Sequence, residues 1–285
     1  MNGKLIITAD DYGLCDVVNQ AIEECLEAGA VRATCAMANM PAFDPTARLR
    51  QRYPQSSLGI HWTLTEGRPV LCPQQIPTLV RSDGSFYSPL QLRRLWLRHR
   101  IAAKDVEVEL QAQYERFCEV AGEPEFWNTH QNFHVWPGLF RICLSLGRRL
   151  QIPKMRCHRR FTVPRDRTAR SYHLSHPFSW LKGEVISRWA SCARREGMLM
   201  PDGIIHMPGY ETDPTSIEEV VRRLPWTTVG AALELLIHPA TSSDEMLFHR
   251  HAERRVLEYR MFKDPRLNDR LRLLGIETVS FHSCK

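Results

Sequence analysis

Strand-like and helix-like segments alternate along nearly the whole chain, and no other feature narrows the fold as much. Residues 4–9 read as a buried strand. Residues 16–28 read as a helix, with apolar Val17, Ala21, Ile22, Cys25 and Leu26 at helical spacing and Gly29 as its stop signal. The pattern continues with a short strand over 33–38, a helix over 44–53 that ends before Pro54, and a strand over 58–64. Helices are predicted over 89–100, 104–121, 138–150, 178–195, 216–224, 250–263 and 265–274. Strands are predicted over 125–130, 154–157, 203–207, 231–238 and 277–281. Repeated strand–helix–strand units imply parallel strands joined by right-handed crossovers. Seven or eight strands in one unbroken alternation predict an α/β fold, a (β/α) barrel of TIM-barrel type, seven-stranded or distorted. An open doubly wound sheet is the competitor. No GxGxxG or GxxxxGK[ST] sequence follows the first strand, which disfavours its nucleotide-binding versions.

The 285 residues, 43% hydrophobic, can build one large domain or two small ones, and the continuous pattern favours one domain over 1–285. The net charge of +6 is concentrated in arginine-rich stretches, Arg93-Arg94 with Arg98 and Arg100, and Arg159-Arg160 with Arg165 and Arg167. Such stretches are ordinarily solvated helix faces or loops, the alternative being a polyanion-binding patch. No basic repeat interleaved with aromatics supports a nucleic-acid partner. Nine cysteines, an odd number without a CxxC pair, several of them in apolar segments as Cys25, Cys118 and Cys143 are, read as reduced and mostly buried thiols. A strand that begins within a few residues of Met1 leaves no room for a signal peptide, and no stretch approaches the roughly 20 apolar residues of a membrane span. The expectation is a cytoplasmic protein.

In a barrel, chemistry collects at the C-terminal tips of the strands. Here those tips carry polar residues. The first ends in Asp10-Asp11, the third contains His61, a later one gives His130 and then His134, and a late one ends in His238. Removing water from a carboxylate costs several kcal/mol unless it is paired or metal-bound, so two adjacent acids at a buried tip demand a partner. One carboxylate with two imidazoles suits a catalytic divalent ion; a second carboxylate and a further imidazole could move protons. Each residue also has a plain reading. Asp10 or Asp11 could cap the following helix. His61 could be a hydrogen-bonded core residue, His130 and His134 loop residues, and His238 the end of a strand. His158, His173 and His176 read as surface groups.

Several segments together resemble the YdjC/ChbG-type carbohydrate deacetylases, with their ChbG-like and HpnK-like members. Residues 6–14, IITADDYGL with Asn19 after it, are similar to the opening "ADDFG" motif. Residues 36–43 resemble the second-strand segment, residues 59–69 resemble "GLHLNLTEGRP", and residues 234–239 resemble the late "E-L-x-x-HP" strand. The resemblance implies a metal-dependent N-deacetylase of amino sugars on a barrel of the glycoside hydrolase and deacetylase kind. It assigns Asp11, His61 and His130 as ligands of Mg²⁺ or Zn²⁺, Asp10 as general base and His238 as general acid. It implies a small carbohydrate substrate and a homo-oligomer. The chain departs from the family at "DSHHHVH", which here is Asn128-Thr129-His130-Gln131-Asn132-Phe133-His134. That change touches the groups that orient His130 and contact substrate.

Arg156, at a short strand tip, could bind a sugar hydroxyl or phosphate, or hold Asp10. His134 could touch substrate or pack. Specificity is expected in residues 66–88 and 159–175, whose arginines leave room for a phosphorylated, nucleotide-linked or lipid-linked glycan. The competing readings are another metal-dependent amide or ester hydrolase on the same barrel and a non-catalytic glycan-binding relative.

Overall fold

The first strand organises the rest. β1 (Gly3–Tyr12) is buried at every position but Lys4. It pairs in parallel with β2 (Ala33–Ala36) on one edge and with β7 (Leu233–Ile237) on the other. The computed structural model describes residues 3–159, 161, 179–205, 217–224, 226, 232–244 and 252–284. Beyond β2 follow β3 (Ser57–Trp62), β4 (Phe126–Thr129) and β5 (Lys154–Met155); beyond β7 lies β6 (Gly203–Ile205). The hydrogen-bonded order is β5-β4-β3-β2-β1-β7-β6, parallel throughout. The sheet curls until its two edges meet. The Ile204 N–H donates to the Arg159 carbonyl at 2.8 Å, and the Phe161 N–H donates to the Ile204 carbonyl at 2.9 Å. The result is the expected α/β architecture, a distorted (β/α) barrel with seven strands in its wall.

An eighth strand, β8 (Ile276–Thr278), is not a stave of that wall. It pairs only with the first residues of β1, and Leu5 pairs at once with Thr278 and with Leu233 of β7. β8 therefore takes the edge of β1 that β2 occupies farther along.

Alternation along the strands decides what lies inside and outside. Leu5, Ile7 and Ala9 of β1 join the large apolar cluster that packs under the helices. Ile6 belongs to a separate cluster with Ala33, Cys35, Phe126, Ala232 and Phe281, which fills the barrel floor. Phe126 and Phe281 stack there, centroids 3.9 Å apart and planes 6° from parallel. Gly59 makes room for them: a Cβ at that position would stand 2.6 Å from the Phe126 ring. One step up each strand the interior turns polar. Thr8, Asp10, His61, Asn128, Arg156 and Glu234 are all buried.

The helices are α1 (Asp16–Glu27), α2 (Thr46–Arg52), α3 (Pro89–Leu97), α4 (Ala103–Ala121), α5 (Leu139–Arg149), α6 (Ser179–Arg195), α7 (Ile217–Arg222), α8 (Ala252–Phe262) and α9 (Leu267–Leu273). Ends differ from the sequence reading by one to three residues, where helices fray. Residues 66–88 form the expected excursion, and buried acids of α4 pin it. Glu109 accepts the Val70 and Leu71 N–H groups, and Asp105 accepts the backbone N–H and the hydroxyl of Thr78. Arg160, Arg165, Arg167, His173 and His176, with most of the second specificity segment, lie outside the described residues. One expectation fails: His158 is buried, not a surface group, and its ring packs 4.6 Å from that of His134. Burial of the chain just after β5, where it turns inward beside Arg156, carries it there. Five of the nine cysteines are buried and none is bridged. No helix among the described residues is long and apolar enough to cross a membrane.

Candidate active site

Successive residues of a strand point to opposite faces, yet Asp10 and Asp11 both face the barrel mouth. A bulge explains it. The register between β1 and β2 slips between Ala9 and Tyr12, so one extra residue of β1 is accommodated. Asp11 takes the left-handed region, φ 74°, at a cost of about 1–3 kcal/mol for a non-glycine residue. Neither acid caps α1, whose first residue is preceded by Cys15 without a side-chain bond.

Asp11 Oδ1 lies 3.1 Å from His61 Nε2 and 3.0 Å from His130 Nδ1, and the two ring nitrogens are 3.3 Å apart. Ligand atoms that share one cation at roughly 2.0–2.2 Å stand about 3.0–3.5 Å from each other. The three donors thus fit a single divalent ion, all three residues being buried. The second oxygen of Asp11 accepts from Arg255 of α8 at 2.5 Å. Burial pushes the Asp11 carboxyl up, but Arg255 and His130 outweigh it and hold the group well below the usual range. The same acids raise His61 above its ordinary value against the opposing effect of burial.

Asp10 meets a different partner. Arg156 grips it with two bonds, Nη1 to Oδ2 at 2.6 Å and Nη2 to Oδ1 at 2.7 Å. Nε of Arg156 reaches Glu234 Oε1 at 3.0 Å, and Thr8 donates to the same oxygen at 2.7 Å. Burial raises Asp10, but the Arg156 charge and its bonds prevail and keep the group ionised. Of the partners considered for Arg156, a carboxylate is the one it meets; its side chain is 1% exposed.

Behind these acids, the Asn128 amide lies 2.5 Å from His61 Nδ1. With its oxygen toward His61 it accepts the Nδ1–H, which leaves Nε2 unprotonated and facing Asp11, as a metal ligand requires. Asn128 therefore fixes the tautomer of the imidazole. Cys35 Sγ sits 3.1 Å from Asp10 Oδ1 and 3.3 Å from His61 Nδ1. Burial and the Asp10 charge push its thiol well up, so it stays protonated.

His238 stands across the mouth, Nε2 3.9 Å from Asp10 Oδ2 and Nδ1 4.0 Å from Glu258 Oε2. Glu258 also accepts the His238 backbone N–H at 2.5 Å, so one carboxylate faces both the backbone and the ring. Protein packed around the imidazole draws its pKa below the ordinary value, although its side chain keeps 41% exposure. His134 is elsewhere. It is 1% exposed, its Nδ1 2.6 Å from Thr129 Oγ1 and its ring edge-on to Trp127.

Asp10, Asp11, His61, His130, His238 and Arg255 line one cavity of about 320 Å³, within the size range of small-molecule sites. Gln131 and Asn132, both left-handed at φ 53° and 55°, form its rim. A second void of about 10 Å³ behind His134 has room for little more than a water. The sequence singles out Asp10, Asp11, His61, His130 and His238 of the main cavity but not Thr129, Arg255 or Glu258, nor Cys35, which touches Asp10. Glu234 stands in the quoted late-strand motif, where its spacing four residues before His238 was the available signal.

Relatives match this chain over different spans. A carbohydrate deacetylase of Geobacillus stearothermophilus is 27% identical over 97% of this chain and 96% of its own length. A carbohydrate deacetylase of Halalkalibacterium halodurans is 32% identical, over 53% of this chain and 62% of that protein. Among solved structures, a protein of Enterococcus faecalis V583, provisionally described as a cellobiose-phosphate cleavage protein, superposes with a TM-score of 0.77. It is 21% identical and each chain is covered to 99%, which is a likeness of fold. The sequence profile described as YdjC-like protein matches residues 4–273, and the chain belongs to that family.

Proposed function

We propose that the protein is a metal-dependent hydrolase that removes the N-acetyl group from an amino sugar. The observation that carries this reading is the pairing of two neighbouring carboxylates in one cavity. Asp11 closes a donor triangle with His61 and His130, and Asp10 is locked by Arg156 beside it. Asp11, His61 and His130 would hold a divalent cation, whose Lewis acidity polarises the acetyl carbonyl and acidifies the attacking water.

The chain's own groups do the rest. Asp10, ionised and fixed in orientation by Arg156, accepts a proton from the water as its oxygen bonds to the acetyl carbon. As the C–N bond breaks, His238 gives a proton to the departing amine, leaving acetate and the free amino sugar. Glu258, 4.0 Å from Nδ1, favours the protonated imidazole that this step requires. Arg156 acts through Asp10 and is a positioning residue. The full-length similarity to a protein named as a carbohydrate deacetylase supports the choice of an N-acetylated sugar, and so does a cavity sized for a small molecule. A cytoplasmic location belongs to the same reading.

Acetate release from N-acetylglucosamine oligosaccharides tests the proposal. Chelation is expected to abolish turnover and divalent metal to restore it, while Asp10→Asn stays strongly impaired at saturating metal. Undiminished acetate release after chelation, or in Asp10→Asn, overturns it.

A further inference from the structure

α3 presents an unpartnered face. Leu90 and Leu97, seven residues apart, are each 57% exposed. On a helix that spacing stacks them on one side, and Arg93 and Arg94 fall between them at the third and fourth positions on the same side. Arg98 and Arg100 carry the charge past the C-terminal end, and all four arginines are exposed. Among the described residues none of the four meets a carboxylate, and residues 84–104 contain no Asp or Glu. The opposite face is anchored. Leu92 is 2% exposed, and Trp96 Nε1 donates to the Pro137 carbonyl at 2.7 Å. The helix therefore cannot roll to hide its leucines.

We propose that this face docks the protein onto an anionic lipid surface, leucines inserted among the acyl chains and arginines on the headgroup phosphates. Both halves of the patch need such an occupant. Water is a poor partner for two neighbouring leucines, and an apolar groove is a poor partner for four guanidiniums. A second copy of the chain fits worse. A two-fold contact over this face would set the same arginines against themselves with no acid on the helix to meet them. An anionic bilayer satisfies both, with long arginine side chains reaching outward to phosphate. Docking also has a direction. Trp96 ties α3 to the segment that runs from the cavity rim at Gln131 and Asn132, so the mouth is held near the bound surface.

Co-flotation of the full chain with phosphatidylcholine vesicles, with and without phosphatidylglycerol, tests this. Binding is expected only with the anionic lipid and is expected to weaken as salt rises. Leu90→Ser with Leu97→Ser should weaken it about tenfold, and Arg93→Glu with Arg94→Glu by at least as much. Acetate release from a soluble oligosaccharide should be unchanged in both variants, which separates this test from that of the catalytic reading. Absence of binding to anionic vesicles, or equal binding by wild type and both variants, overturns the proposal. So does light scattering that shows a wild-type dimer lost in Leu90→Ser/Leu97→Ser, because the occupant is then a second copy.

Discussion

Asp10 and Asp11 are joined by one peptide bond, equally buried and both ionised, yet they are compensated in opposite ways. Asp10 has a permanent cation of the chain, Arg156, on both oxygens. Asp11 gives one oxygen to Arg255 and turns the other to two imidazoles that carry no fixed charge. A carboxylate already matched by a guanidinium has little left to offer a metal. A carboxylate matched by imidazole nitrogens keeps a place for one. The backbone bulge converts two identical side chains into a base and a ligand by aiming each at a different neighbourhood.

The sharpest way to break this comparison is to neutralise each acid in turn. Asp10→Asn is expected to lower turnover roughly 10²–10⁴-fold while leaving metal affinity nearly unchanged in calorimetry. Asp11→Asn is expected to lose metal binding along with turnover. Equal loss of metal by both would erase the distinction. Next in size is Arg156→Met, which strands Asp10 and Glu234 without their cation. Breaking a buried pair from one side costs about 3–5 kcal/mol, to be read as a fall in urea unfolding free energy near neutral pH.

A third prediction uses pH. Burial, then the charges of Arg156 and His61, hold His134 down to about 3, so the unfolded chain, titrating near 6.5, takes up a proton that the folded protein refuses. Its contribution to stability is complete above about pH 6.5 and drains away as pH falls toward 3. His61, raised when metal-free, acts in the opposite sense. The contrast between wild type and His134→Asn isolates the His134 share, and the variant should lose stability less steeply between about pH 6.5 and pH 4. A parallel slope would show that His134 does not titrate this way. The smallest effect is expected for Arg255→Met. Removing one positive charge beside Asp11 should tighten divalent-metal binding by about tenfold or less, and weakened binding would mean that Arg255 chiefly holds Asp11 in place.

The strand tips were legible because a hydrophobic run that stops at a charged residue is a local signal. So Asp10, Asp11, His61, His130 and His238 could be named, and the structure brings all five to one cavity. What could not be read was which neighbour each would meet. Arg156 follows a two-residue strand, and Asp10, 146 positions away, was only one of the partners its position allowed. Arg255 sits on a helix that also carries Arg254 and Arg260, and nothing in its spacing marks it. The bulge at Asp11 depends on how β2 pairs with β1, a relation absent from either segment alone. His158 was misjudged for the same reason: polar composition around it suggested a surface, whereas the path of the chain past β5 is set by the barrel.

The barrel wall is uneven in a way that bears on its breathing. β1 is held along ten residues by three neighbours, whereas β5 contributes two residues, β6 three, and their junction rests on the backbone of Arg159, Phe161 and Ile204. Opening costs least where the ladder is shortest. Backbone amides at Met155 and Ile204 should therefore swap their hydrogens for deuterium well before that of Ile7, and the wall should part opposite the two acids. Arg156 lies beside that parting line, so a breath of the wall there reaches the base through its own counter-charge.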